Sequence, residues 1–209
     1  MLIREIMNSD LITINPEASL NKAYKVMMQN KIRHLPVLEN GKLIGIITDR
    51  DLRLATSKLA EHPFDPQVPV KDVMTTSVFT VHPSDPIGMA IRIMRESKIG
   101  SLPVVENNKL VGILTGIDVL DAMLILTGMD KPSGRLDVRV SDKSGELARL
   151  SKILADKGVN ILSVLSYTEP NGNVRVILRV NTMEIRKLAS AICDSDFEVL
   201  WPPHISCVE

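Results

Sequence analysis

The sequence is short of aromatic residues and of net charge. Only six of its 209 residues are Phe, Tyr or Trp, too few for the stacking platform on which bases or sugars bind. Its 25 Lys and Arg residues are balanced by 25 Asp and Glu residues, so no overall field attracts a phosphate backbone. Both shortages argue against a nucleic-acid partner. The shortage of aromatic residues also means that the core must be built from Ile, Leu, Val and Met.

Long hydrophobic runs and cysteines are also scarce. The most apolar stretch, residues 119–126, is interrupted by Asp121 and is far shorter than the ~20 residues of a membrane span. The amino-terminal segment carries charges and lacks the apolar core of a secretory signal. Cys193 and Cys207 are too few for a disulfide framework or a four-ligand zinc site and are expected to be free thiols. The pattern predicts a soluble cytoplasmic protein without a membrane partner.

An internal repeat fills the first three-fifths of the chain. Residues 3–55 superpose on residues 70–122 without a gap, and roughly a third of the pairs are identical. A repeat of this length is one structural unit used twice. The identical pairs include Met7 with Met74, Thr48 with Thr115 and Asp51 with Asp118.

Each copy has the pattern of a strand, a helix, a hairpin and a second helix. Apolar residues recur at helical spacing after Pro16 and after Pro83. Two short apolar runs follow, joined in the first copy by residues 39–42 with a turn-forming Asn-Gly. The second helices are predicted over residues 51–59 and 118–127. We expect one domain over residues 1–61, a proline-rich connection over 62–69 and a second domain over 70–127.

The remainder of the chain does not match either copy. Residues 128–134 have the composition of a linker. The pattern over residues 135–209 alternates between strand and helix spacing in the order βαββαβ. That order is the ferredoxin-like motif, so the whole chain is expected to be α+β.

Two resemblances follow from these motifs. The Leu-Pro-Val before each hairpin, with Gly-Ile-Ile-Thr-Asp-Arg-Asp and Gly-Ile-Leu-Thr-Gly-Ile-Asp after it, resembles a tandem pair of CBS domains, a Bateman module. Residues 142–147 and 158–161 resemble an ACT domain, although Ser144 stands where that family usually has Pro. The combination is similar to the AcuB-type family of acetoin-utilisation proteins and covers nearly the whole chain.

The duplicated Thr-x-x-Asp segment allows two interpretations. As a capping box, the Thr hydroxyl and the carboxylate satisfy backbone groups at the start of a helix. As a binding site, an exposed carboxylate accepts hydrogen bonds from ribose hydroxyls while the hydroxyl and the helix amides meet a phosphate. The two roles are compatible, and the resemblance to CBS pairs implies the second.

The resemblance implies a set of ligand contacts in each copy. Basic residues before Leu-Pro-Val and within the Thr-x-x-Asp segment would hold phosphates, and the first strand would face the adenine. The same residues could instead form a solvated charged face and ordinary core. The nucleotide-binding residues so implied are Ile12, Thr13, Arg33, His34, Pro36, Thr48, Arg50 and Asp51 in the first copy and Phe79, Thr80, Pro103, Thr115 and Asp118 in the second.

The two copies differ where charge matters. Arg33, His34 and Arg50 correspond to Gly100, Ser101 and Ile117. The first cleft is therefore expected to favour ligands with more phosphate.

The ACT resemblance implies a second effector site at Gly145, Leu147 and Asn160, with an amino acid as the ligand at a subunit interface. The alternative is that Gly145 serves only the geometry of a turn.

No enzyme signature is recognised. The sequence has no Gly-x-Ser-x-Gly, no P-loop and no Gly-x-Gly-x-x-Gly, and its histidines lack metal-ligand spacing. We therefore predict no catalytic residue, no metal ligand and no required cofactor. We therefore expect a regulatory homodimer that senses an adenine nucleotide and acts on an unknown protein target, and the resemblance to the AcuB-type family implies a connection with acetoin catabolism. An enzyme or enzyme subunit acting on a small acid, and a scaffold with degenerate sites, are the alternatives.

Overall fold

The computed structural model describes residues 1–57 and 63–203. These residues belong to two compact units, Met1–Leu120 and Asp121–Glu209. The predicted end of a helix at residue 59, the predicted boundary at residues 61 and 62, and Cys207 lie outside the described residues. Within the described part of the chain, no helix is both long enough and apolar enough to cross a membrane.

The first unit contains the two sequence repeats as far as Leu120, which lies within the last helix of the second repeat. Each repeat has an amphipathic helix, a two-stranded antiparallel hairpin and a second helix, and each is preceded by a short 3-10 helix. The elements of the first repeat are α1 Leu20–Asn30, β1 His34–Glu39, β2 Lys42–Thr48 and α2 Asp49–Ala55. Those of the second are α3 Ile87–Ser97, β3 Ser101–Glu106, β4 Lys109–Thr115 and α4 Gly116–Leu126.

The hairpin turns explain the Asn-rich loops. Asn40 and Gly41 both have positive φ, as do Asn107 and Asn108. Type I′ turns require positive φ at both central residues and match the twist of the flanking strands, which is why Asn and Gly occupy them.

The first predicted strand of each repeat is reduced to a single bridge. Ile14 pairs in parallel with Val37, and Val81 pairs in parallel with Val104. The proline-flanked segments around Ile14 and Val81 pair with the hairpins at one residue only, so they do not extend the sheets.

The repeats exchange their amino-terminal arms, residues 2–8 and 69–75. The 3-10 helix Ile3–Glu5 places Ile3 in the core of the second repeat, whereas Val70–Asp72 places Val70 in the core of the first. Asn8 pairs with Ile113, and Thr75 pairs with Ile46. Each core is thus completed by residues from the other copy.

Glycines of the hairpins make room for the exchanged arms. A Cβ atom on Gly45 would lie 2.6 Å from Sδ of Met74, and one on Gly112 would lie 2.7 Å from Sδ of Met7. These distances are below van der Waals contact, so only glycine allows the arms to pack this closely.

The second unit has the predicted ferredoxin-like order. Its strands form one antiparallel sheet in the order β6-β7-β5-β8, with a core of Leu, Val and Ile side chains between the sheet and the two helices. The structure confirms the α+β class of two CBS-type repeats followed by a βαββαβ domain. The elements are β5 Gly134–Val140, α5 Glu146–Asp156, β6 Ile161–Thr168, β7 Val174–Val180, α6 Ile185–Cys193 and β8 Glu198–Trp201.

A buried ion-pair network lies on the same sheet. The Asp137 side chain is fully buried and accepts hydrogen bonds from Arg135 Nε at 2.7 Å and Arg175 Nη2 at 2.6 Å. Burial by itself raises the pKa of the Asp137 carboxyl, but the hydrogen bonds and charges of the two guanidinium groups outweigh it and lower that pKa.

Two observations bear on the start and end of this unit. The Ser163 hydroxyl donates a hydrogen bond to the carbonyl of Thr127 at 2.7 Å, and the Ser133 hydroxyl donates to the carbonyl of Gly128 at 3.1 Å. The segment expected as a linker is therefore hydrogen-bonded within the second unit.

Cys193 is disulfide-bonded, so the prediction of a free thiol at this position is wrong. Cysteine usage therefore no longer supports a reducing compartment.

Candidate functional site

The first Thr-x-x-Asp segment forms a complete capping box at the junction of β2 and α2. The Asp51 Oδ2 atom accepts hydrogen bonds from the Thr48 N–H at 2.9 Å and from its hydroxyl at 2.8 Å. The Asp51 N–H in turn donates to Thr48 Oγ1 at 3.2 Å. These reciprocal bonds fix the carboxylate at the positive end of the helix.

The second segment repeats this geometry at the junction of β4 and α4. The Asp118 Oδ2 atom accepts from the Thr115 N–H at 2.6 Å and from its hydroxyl at 2.7 Å, and the Asp118 N–H donates to Thr115 Oγ1 at 3.4 Å. The duplication in sequence is therefore a duplication in hydrogen bonding.

The boxes leave one oxygen of each carboxylate available. The bonds that Asp51 and Asp118 accept within the two boxes all use Oδ2, which leaves Oδ1 of each carboxylate outside the box. Both aspartates are half-buried, so their Oδ1 atoms can accept hydrogen bonds from a ligand without giving up the cap. The capping role and the binding role can coexist, as the sequence allows.

The segments implied to meet adenine lie beside the Leu-Pro-Val prolines. The Ile14 N–H donates to the Pro36 carbonyl at 3.0 Å, and the Val81 N–H donates to the Pro103 carbonyl at 3.1 Å. The residues just before these bonds are the candidates. Ile12 and Thr13 are half-buried, Phe79 and Thr80 are exposed, and Pro36 and Pro103 are buried. Each repeat thus brings its first segment next to its own proline.

The basic residues of the first repeat divide into exposed and half-buried ones. Arg33 and Arg50 are exposed, whereas His34 is half-buried and pairs in register with Thr48. Burial lowers the pKa of the His34 imidazole, and the charge of Arg33 lowers it further, while Asp49 and Asp51 oppose both effects. His34 therefore lies beside the first capping box as a mainly neutral group at neutral pH.

Sequence reasoning missed Asp49, the first residue of α2. Its N–H donates to the Arg33 carbonyl at 3.0 Å, and its carboxylate forms an ion pair with the exposed Arg53. Arg53 is thereby engaged within the helix, so Arg50 is the more available cation. The signal was present in the sequence, because Gly116 replaces Asp49 in the second repeat.

The residues implied as the ACT effector site are not brought together within one chain. Gly145, with φ of 94°, ends the turn before α5, and Leu147 on that helix is 49% exposed. Asn160 precedes β6 at the opposite end of the sheet, since Ile161 pairs with Val180 whereas Thr168 pairs with Val174 beside Val140. A cavity of about 320 Å³ includes Leu147 but not Asn160, and its other lining residues include Lys143, Glu146 and Tyr167.

The fold and the duplicated site define a class of protein, a Bateman module of two CBS domains joined to an ACT domain. The CBS domain model matches residues 3–58 and 70–125, and the ACT domain model matches residues 134–194. The chain belongs to the CBS-domain family and is a regulatory protein with a carboxy-terminal ACT domain. The resemblances drawn from the sequence are thus confirmed.

Curated relatives match the CBS part. A CBS domain-containing protein of Dictyostelium discoideum is 36% identical over 137 residues, which make up 59% of this chain and 92% of that protein. An inosine-5'-monophosphate dehydrogenase of Korarchaeum cryptofilum is 39% identical over 111 residues, but these are only 22% of the enzyme and 53% of this chain.

Solved structures match the same part. An AcuB protein from Vibrio cholerae, whose name refers to acetoin utilization, is 33% identical with a TM-score of 0.53 and covers 63% of this chain and 98% of its own. The CBS pair of protein MJ0100, in complex with 5′-methylthioadenosine and S-adenosyl-L-methionine, is 28% identical with a TM-score of 0.54 over the same shares. CBSX2 in complex with AMP is 29% identical, with a TM-score of 0.53 over 62% of this chain and 98% of its own.

Proposed function

We propose that the protein senses adenine nucleotides or a related adenosyl ligand through its CBS pair and regulates a target protein without catalysing a reaction. The observation that carries the proposal is the duplicated capping box, which holds two half-buried carboxylates and leaves Oδ1 of Asp51 and Asp118 able to accept ribose hydroxyls. AMP, S-adenosylmethionine and methylthioadenosine share this ribose, and the structural neighbours bind these ligands.

The surroundings of each box suit the remaining parts of such a ligand. The purine would lie against Ile12 and Thr13 in one repeat and against Phe79 and Thr80 in the other, with the buried prolines Pro36 and Pro103 behind them. The exposed guanidinium of Arg50 and the neighbouring Arg33 suit phosphate in the first site, whereas Ile117 offers only apolar contact in the second. The first site therefore prefers the more highly phosphorylated ligand.

The ACT domain would receive a second effector, an amino acid. Gly145 and Leu147 would contribute from one subunit and Asn160 from the other, because one chain does not bring them together. This arrangement needs a homodimer, and light scattering at micromolar concentration should give twice the chain mass. A monomeric mass would contradict both the dimer and the shared effector site.

The proposal has three further parts, of which the domain division rests on the repeat and the linker composition. The division into domains is 1–61, 70–127 and 135–209 with connections at 62–69 and 128–134. The regulated process is acetoin catabolism, as the name of the Vibrio cholerae neighbour suggests. The location is the cytoplasm, where adenine nucleotides are available to a sensor.

Calorimetric titration of the full chain with AMP, ATP and S-adenosylmethionine, with GMP as the control for base recognition, tests the sensing function. We expect saturable binding of at least one adenosyl ligand and weaker binding of GMP. Absence of binding by all three at millimolar concentration would leave the chain as a scaffold with degenerate sites. Turnover of a small acid would instead identify it as an enzyme or enzyme subunit.

A further inference from the structure

The imidazole of His34 reaches from the first repeat to the backbone of the second. A Cβ atom added to Gly100 would lie 3.1 Å from Nε2 of His34 and 3.5 Å from Cε1. The first distance is shorter than ordinary van der Waals contact, so the imidazole occupies the space that a side chain at position 100 would need. His34 therefore packs directly against the peptide at Gly100.

Gly100 supports the second capping box. Its carbonyl accepts a hydrogen bond at 3.0 Å from the N–H of Gly116, the first residue of α4. Ser101 follows Gly100 and pairs in register with Thr115. The peptide that His34 touches is thus bonded to the helix terminus that carries Asp118.

The two repeats differ in a complementary way at this point. Arg33 and His34 in the first repeat correspond to Gly100 and Ser101 in the second, two large residues against two small ones. If position 100 carried Arg, as the equivalent position 33 does, its side chain would collide with the imidazole of His34. The charge difference between the copies thus has a packing reason as well as an electrostatic one.

We propose that His34 couples the two ligand sites. It lies beside the first capping box and packs against Gly100, whose carbonyl is hydrogen-bonded to the start of the helix that carries the second capping box. This inference rests on the proposed function, since it assumes that both sites bind an adenosyl ligand. His34 acts here as a positioning residue for the second site.

The charges around His34 give the coupling a physical cause. The imidazole faces Asp49 and Asp51 of α2 and the neighbouring Arg33, while Gly100 and Ser101 of the second repeat bring no charge. A phosphate bound in the first site adds negative charge near the imidazole and favours its protonated form. Protonation then alters the contact that His34 makes with Gly100.

A binding experiment isolates the second site. The coupling is the difference in AMP affinity of the second site between the wild type and Asp51→Ala, in which only the second site survives; it should be at least about fivefold, the lower end of typical coupling, and His34→Ala should abolish it and weaken AMP binding to the Asp51→Ala variant. Lys25→Ala, an exposed residue of α1 outside both sites, should leave the affinity of the Asp51→Ala variant unchanged. If His34→Ala weakens binding only in Asp118→Ala, where the first site survives, His34 serves that site alone and the coupling is refuted.

A second experiment needs no ligand. In NMR titrations of the nucleotide-free wild type, the Gly116 amide resonance should shift with the same midpoint as the His34 imidazole, and His34→Gln should abolish that shift. A Gly116 resonance that does not follow His34 overturns the inference even if nucleotides bind. If Gly116 follows His34 but no adenosyl ligand binds, the packing link stands and the proposed function fails.

Discussion

Replacing the two capping-box aspartates by Asn should separate binding from capping. In Asp51→Asn and Asp118→Asn the side-chain oxygen can still accept the bond from the Thr N–H, so the helix start is retained. The negative charge is lost, and the atom that faces the ligand becomes either a neutral acceptor or an amide donor. The alanine variants, by contrast, lose the cap and the ligand contact together.

The hydrogen bonds give the expected magnitudes. Alanine at position 51 removes two bonds to Oδ2, at about 1 kcal/mol each, so the free energy of unfolding should fall by about 2 kcal/mol. It also removes a charged acceptor for the ligand, which costs about 1.5–3 kcal/mol, or about ten- to hundredfold in affinity. Asparagine keeps a neutral bond of about 1 kcal/mol, so about 0.5–2 kcal/mol of binding is lost and the affinity should fall about twofold to thirtyfold, with little loss of stability.

Calorimetric titration with AMP and urea unfolding, run on both variants at each position, test these numbers. Asp130→Asn, at an exposed aspartate that belongs to neither box, controls for the general effect of removing a negative charge. If the Asp51→Asn, Asp118→Asn double variant binds AMP as tightly as the wild type, the carboxylates do not bind the ligand and the boxes serve only as caps.

Three further outcomes are expected. The preference for ATP over AMP should be greater in Asp118→Ala than in Asp51→Ala and should fall with added salt; equal preferences by calorimetry would mean that the basic residues are a solvated face. Asp137→Asn should cost about 1–3 kcal/mol of stability at pH 7, because it removes the buried charge that accepts from two guanidinium groups, which are themselves 42% and 28% exposed. Because the pKa of Asp137 is lowered in the folded protein, the ionised carboxylate stabilises the fold at any pH above its ordinary, unfolded-state pKa. That stabilisation is lost as the pH falls through the lowered pKa, so denaturation curves of variant and wild type should converge in acid. Gly45→Ala should lower stability by about 1–3 kcal/mol through overpacking, whereas Gly88→Ala, in an open position on α3, should raise it by up to about 1 kcal/mol.

The sequence predicted most elements because their signals are local. The Asn-Gly turn at residues 40 and 41 and the apolar spacing after Pro16 and Pro83 depend only on neighbouring residues, and the structure has the hairpins and helices at these positions. The ACT strands follow the same rule of alternating apolar residues.

The exchange of arms could not be predicted because the two copies offer equivalent apolar partners. Ile3 corresponds to Val70 and Met7 to Met74, so either arm has the apolar side chains to fill either core. Which copy an arm joins depends on chain geometry at long range. The same limit hid the contact of His34 with Gly100, which joins residues from different repeats.

The site could be predicted only where its residues form a local motif. Thr48 with Asp51 is a local motif, and its capping geometry follows from the spacing. The side on which Arg33 and His34 act is a matter of how the copies pack, and the separation of Asn160 from Gly145 follows from strand register.

The exchanged arms mean that the repeat visible in the sequence is not the unit that folds. A fragment ending after the first repeat would lack Val70 and keep an arm built for a core that is absent, so it could complete its core only by pairing with another copy of itself. Removing residues 1–8 would likewise damage the second repeat and leave the first repeat's core intact. Two single repeats could in the same way complete each other's cores as separate chains with reciprocal arms, and joining them in one chain allows the two sites to differ, as they do at positions 33, 34, 100 and 101.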